Sequence, residues 1–169
     1  MVIVHLEEFF DYKNEAVKTF CHNENIVRLI TDSKEAPVPN YDLAYKQIFP
    51  YEYVPDTVDD GKVFLCLDVD IVEVPNKTFY VPVMYLWAFA HKSKIRLDEG
   101  GIRTDQLCVE IDKELNGSRF FGLGELNLFH VGRFSPNTGY QGRVMAYSAK
   151  VFNRLAPSKR PPAKRKQRE

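Results

Sequence analysis

The residues best placed to do chemistry are acidic. Asp68 and Asp70 stand two apart in a stretch, Val63 to Val74, where polar and apolar residues alternate, and Asp56, Asp59 and Asp60 precede them. Period-two spacing puts both carboxylates on one side of a strand. Paired carboxylates are hard oxygen ligands of the kind that hold Mg²⁺ in metal-dependent nucleases. Such a site would continue with an acidic residue two before a lysine on the next strand, and Glu73-Val74-Pro75 does not supply it. The pair therefore reads as the solvated outer side of an amphipathic strand, with a nuclease using Asp68 and Asp70 as the alternative.

Other constellations are excluded by inspection. The chain has no G-x-x-x-x-G-K-[ST], G-x-S-x-G or H-E-x-x-H, and Gly122-Leu123-Gly124 reads as flexible backbone rather than a phosphate cradle. His5, His22, His91 and His130 are far apart, and His91 marks a strand's exit to solvent. Cys21, Cys66 and Cys108 are odd in number, with no C-x-x-C pair, so they read as reduced thiols, Cys66 and Cys108 as small core residues. No catalytic, cofactor or metal site is expected, and no enzymatic activity.

A second chemical signal is electrostatic. The 23 basic and 23 acidic residues cancel, which on the total argues against a dedicated polyanion binder. The cancellation is between regions. From Pro157 to Glu169 six cations (Lys159, Arg160, Lys164, Arg165, Lys166, Arg168) meet one acid, a net of +5, leaving −5 on the rest. These six are the candidate contacts for nucleic acid or an acidic partner, because each phosphate they neutralise releases counterions. They lack the interleaved aromatics that bind single strands by stacking. The alternative function they support is a DNA-binding module acting through this tail.

The elements that must carry these residues follow from periodicity and punctuation. With 169 residues, 44% hydrophobic and 27% charged, the chain is expected to form one domain over 1–153 with a flexible basic tail over 154–169. A chain of this mass can bury about 70% of its surface. Ala16, Val17 and Phe20, then Ile26, Leu29 and Ile30, recur at helical spacing, with Asn23 or Asn25 as the cap of the second helix. Pro37 and Pro39 make the stretch 31–42 a loop. Ile48-Phe49-Pro50-Tyr51-Glu52-Tyr53-Val54-Pro55-Asp56 has too many prolines for a central strand and suits an extended segment along a sheet edge, in an arm within 37–60.

After Asp59-Asp60-Gly61 comes the alternating strand, half-exposed, with Leu65, Leu67, Val69 and Ile71 on one face and Cys66, Asp68 and Asp70 on the other. Pro75-Asn76-Lys77 turns the chain into Phe79 to His91, a strand apolar on both faces. Its apolar run, Phe79 to Ala90, contains Pro82 and is too short to cross a bilayer, and Glu7 and Glu8 follow the first residues too soon for a signal peptide. A soluble protein without membrane contact is expected. A helix follows, with Thr104 as cap, Asp105 at its positive end, the stripe Leu107, Cys108, Ile111 and Leu115 inward, Glu110, Asp112, Lys113 and Glu114 outward, and Gly117 as terminator. Two strands close the domain, Leu123 to Phe134 and Gly142 to Phe152, joined by Ser135-Pro136-Asn137-Thr138-Gly139.

The fold class expected is α+β, a mainly antiparallel sheet of about four strands with a helix on one face, N-terminal helices and the Pro/aromatic arm. The two-faced strand needs two covers. Either the N-terminal helices cover one face and the 107–115 helix the other, or another subunit provides one of them. For the second case the candidate interface residues are Phe49, Tyr51, Tyr53, Tyr85 and Trp87.

From Ile26 to Asn153, the arm 48–56, the strand 63–74, the helix 101–117 and the closing hairpin together resemble small neck proteins of tailed phages and prophages. Their order is similar to the tail terminator or tail completion family. The resemblance implies a non-enzymatic virion protein, assembled in the bacterial host cytoplasm. It further implies self-association into a ring, with six copies as a candidate size, joining tail tube to head beside other neck and tail-tube proteins. The arm Pro37 to Pro55 is long for a compact terminator, so terminator, stopper and adaptor positions stay open.

Overall fold

The computed structural model describes residues 7–56, 61–73, 79–119, 124–149 and 151–152. The turns expected at 59–60 and 75–77, and the six tail cations, lie outside the described residues. In chain order the elements are α1 (Glu7–His22), α2 (Glu24–Thr31), β1 (Ile48–Phe49), β2 (Val63–Glu73), β3 (Phe79–His91), α3 (Arg103–Leu115), β4 (Asn127–Asn137), β5 (Tyr140–Ser148) and β6 (Val151–Phe152). The sheet runs β1-β2-β3-β5-β4, with β6 paired to the start of β3. Every pairing is antiparallel except β1 with β2. This is the expected α+β class, and β1 is the edge segment expected of the arm.

Local punctuation explains most boundaries. Asn23 ends α1 and caps α2, its Oδ1 accepting from the Ile26 N–H at 3.0 Å. Gly117, at φ +77°, takes the left-handed turn after α3, and its N–H donates to the Leu126 carbonyl at 2.7 Å.

The start of α3 differs from expectation. Thr104 is buried inside the first turn, and Ile102 occupies the cap position with no side-chain bond. Gly100 and Gly101, at φ +94° and +96°, swing the chain round instead, and the Arg103 N–H is anchored on the Ile95 carbonyl at 2.7 Å. The hairpin also differs. Ser135 to Asn137 continue β4 past the expected loop, and the register slips around Pro136, which cannot donate to a ladder. The turn shrinks to Thr138-Gly139, held by the Gly139 N–H on Asn137 Oδ1 at 2.8 Å.

All three helices share one face of the sheet. Leu65, Leu67 and Val69 of β2 lie opposite Ala88, Leu86 and Met84 of β3, and Met145 and Tyr147 of β5 extend the same layer. Onto it pack Ala16 and Phe20 of α1, Ile26 and Ile30 of α2, and Leu107, Ile111 and Leu115 of α3. The arrangement with α3 on the opposite face is thereby overturned. α3 is drawn beside α2, where Asn23 Nδ2 donates to Glu114 at 2.6 Å and Asn25 Nδ2 donates to Glu110 at 3.0 Å.

The opposite face has its own smaller core of Phe49, Phe64, Cys66, Phe89 and Tyr140. β2 is therefore buried on both faces through Val63 to Leu67 and becomes half-exposed only from Asp68, which corrects the half-exposed reading of the whole strand and agrees with Cys66 as a core residue. The cover comes from the arm. Phe49 stacks on Tyr53, with ring centroids 4.3 Å apart at 13°, and both rings lie against Phe64. At Gly142 a Cβ would stand 1.9 Å from the Ala88 carbonyl oxygen, so glycine is required where β5 crosses β3.

Candidate functional site

Beyond the reach of the arm, the face without helices presents side chains in rows fixed by register. One row runs Asp68, Tyr85, Ala146, His130, and the next runs Cys66, Trp87, Val144, Gly132. Tyr85 and Trp87 thus rise in mid-sheet beside small neighbours, and both are half-buried. Their rings lie 6.0 Å apart at 22°, and Phe134 reaches within 6.4 Å of Trp87. Through Phe134, Phe89, Phe64 and Tyr53 the ring contacts run on to Phe49 and Tyr51, forming one aromatic band across the face.

The structure brings the five candidate interface residues onto this band in different states. Phe49 is buried in the chain's own second core, and Tyr53 is half-buried upon it. Tyr51 is 45% exposed near the start of the arm. Tyr85 and Trp87 are the members of the open sheet face itself. Tyr and Trp offer large, rigid area with a polar handle, the side-chain type enriched where proteins bury surface against one another.

The acidic pair is placed apart from any cluster. Asp68 is ion-paired with Lys13 of α1, which reaches around the sheet edge, and it accepts the Val69 N–H at 2.8 Å. Asp70 and Asp56 are exposed. Among the described residues no three His, Cys, Asp or Glu side chains are grouped to hold a metal ion. His91 ends β3 as expected, with Nδ1 2.8 Å from the Ser93 hydroxyl. The three cysteines are buried and free, and burial pushes the Cys21 thiol up to about 11 and those of Cys66 and Cys108 to about 12. Thiols held that high are protonated and poorly nucleophilic. No helix among the described residues is long and apolar enough to cross a membrane.

One polar assembly escaped the sequence. Arg103 is 5% exposed and donates to the Lys94 carbonyl at 2.7 Å, the Leu29 carbonyl at 3.2 Å and the Asp32 carboxylate at 2.5 Å, and Lys94 also reaches Asp32 at 2.7 Å. The hydrogen bond from Lys94 first, with Arg103 adding to it, holds the Asp32 carboxyl below its ordinary range. Glu110 is also 5% exposed and accepts from Lys113, Asn25 and Gln106 at 2.8, 3.0 and 3.2 Å. The Lys113 bond leads in lowering its pKa. Expected on the outer side of α3, Glu110 is covered because α2 lies against it.

Asn25, Asp32, Arg103, Gln106 and Glu110 line a cleft of about 440 Å³ with Arg28, Asp98 and Glu99. Arg103 and Glu110 are spent on partners within the chain, so the cluster ties α2 to α3 and to the loop before it. Gln106 and Glu110, four apart on α3, were the signal for a polar pair, but only the position of α2 shows that it is buried.

A family model named YomW, a name of phage-region type, matches residues 23–149, nearly the stretch that carried the neck-protein resemblance. No curated protein and no solved structure matches the chain. The chain belongs to the YomW family.

Proposed function

We propose that this member of the YomW family is a structural virion protein of a phage or prophage neck. It associates with copies of itself into a ring that joins tail tube to head, as a tail terminator or head-tail connector, and performs no catalysis. The phage association is supported by the family membership. The assembly reading is carried by one observation, the sheet face on which Tyr85 and Trp87 stand half-buried with no helix of the described residues over them. A lone domain gains little by raising a Tyr-Trp pair toward solvent, whereas a neighbour that covers the face recovers the apolar area at about 25 cal/mol per Å². On this reading the partners are further copies and the adjoining neck and tail-tube proteins, and the site of action is the virion.

The test is oligomeric mass. Native mass spectrometry and light scattering at micromolar concentration should give a discrete multi-copy species, and electron microscopy should show rings, alone or on tail tubes. Monomer throughout, with no ring in either preparation, overturns the proposal.

A further inference from the structure

The sheet ends in two unlike edges. At one end β1 pairs with β2 only at Leu65 and Cys66, so among the described residues no strand lies beyond β2 from Leu67 to Glu73. Lys13 crosses that edge at Asp68 and sets the near limit of the open span. Past it stand exposed Asp70 and Val72, the latter 53% exposed. At the other end β4, eleven residues long, pairs with β5 alone. Along it Phe129 is 58% and Val131 50% exposed, and His130 and Arg133 are exposed between and after them. A long edge with exposed apolar residues and no lysine is a template for another strand.

We propose that these two edges pair with each other between copies, β4 of one subunit adding antiparallel to the Val69–Glu73 span of β2 in the next. The inference rests on the self-association reading and names the contact through which it occurs. Strand direction allows it, because β2, β3, β5 and β4 alternate and β4 therefore runs opposite to β2. Charge selects it. Like edges would set Asp70 of one copy against Asp70 of the next on β2, or the Arg133 and His130 of two β4 strands together, whereas unlike edges bring Asp70 to these bases. The apolar residues match as well, Val72 on one side and Phe129 and Val131 on the other. Contact between two different surfaces repeats from copy to copy, which is what a closed ring requires. It also places the neighbour's arm, which begins at β1 on the same edge, alongside the open face that holds Trp87.

The experiment is cross-linking of the full chain carrying Val72→Cys and Val131→Cys, treated with a short bis-maleimide and read on a denaturing gel. Both positions are exposed, so the fold tolerates the change, and the buried native cysteines make the unaltered chain the blank. The double variant should give a ladder of covalent multimers, and each single variant should stay at monomer mass. Dimers from Val131→Cys alone would show β4 meeting β4 and overturn the pairing. No ladder while native mass spectrometry still shows a ring would overturn it and leave self-association standing, whereas an unaltered chain that is monomeric throughout would remove both.

Discussion

The two faces of one sheet are built to different ends. On the helix side Leu65, Leu67, Met84, Leu86 and Tyr147 are fully buried under α1, α2 and α3, and each polar intruder has a partner, such as the Tyr147 hydroxyl on Asp112 at 2.8 Å. On the other side the described residues cover only the end near Phe64 and Phe89, using two rings from the arm, and Tyr85 and Trp87 are half-buried. Along β3, Leu86 and Trp87 are adjacent in sequence and opposite in face. The contrast teaches that the apolar character of a strand does not reveal where its covers come from. One face is completed by the chain's own helices, and the other is, among the described residues, covered only in part by the arm, which is where the proposed neighbour would sit.

The sharpest way to break the comparison uses that adjacent pair. Leu86→Ala, facing Leu67 and Met145 with no exposure, should lose about 3 kcal/mol of folding stability through lost transfer energy and the cavity left behind. Urea titration of the variant checks it, and a loss below about 1 kcal/mol would mean the helix-side layer is not the core. Trp87→Ala should act the other way round. Folding stability should fall by about 1 kcal/mol or less, while the concentration at which copies associate, read by light scattering, should rise about tenfold or more, as for a buried aromatic anchor. Equal effects of the two substitutions on both measurements would erase the distinction between the faces.

The same contrast marks what was legible beforehand. Element order, the span of β3, the edge character of the arm, the Asn23 cap and the Gly117 terminator all rest on local chemistry and were readable from the residues around them. Three features were not. Thr104 looked like a cap because its neighbours are right, but the Gly100-Gly101 turn and the Ile95 carbonyl move the cap two residues earlier, to Ile102. The first half of β2 looked half-exposed because period two is blind to an arm that folds back over the strand, although Cys66 is the core residue it was read as. Glu110 looked exposed because the stripe on α3 records the contact with the sheet but not the one with α2. The last two are tertiary contacts between segments far apart in sequence, whereas the first is set by the loop just before the helix. The interface candidates were chosen as a set because aromatic residues are conspicuous, yet only the folded packing separates Phe49, buried in the second core, from Tyr85 and Trp87, half-buried on the sheet face.

The buried carboxylate gives the finest test, because it asks whether the helix side is finished in its polar contacts as well as its apolar ones. Glu110 accepts from Lys113, Asn25 and Gln106, and its folded pKa is lowered below 4.5, with Lys113 the leading cause. A depressed folded pKa means that the ionised form is bound more tightly in the native state than in the unfolded chain. Its stabilisation is therefore complete above the ordinary value and fades as pH drops below 4.5 through the folded value. Glu110→Gln keeps the shape but places an amide donor toward Asn25 Nδ2 or Lys113 Nζ, so about 1 to 2 kcal/mol should be lost at neutral pH. Thermal unfolding followed from pH 7 to pH 3 should show the two proteins converging at the acid end, with the variant's curve the flatter. Parallel curves would mean that the Glu110 carboxyl titrates alike in the folded and the unfolded chain, so that Lys113, Asn25 and Gln106 do not favour its ionised form and the helix side is not closed by this network.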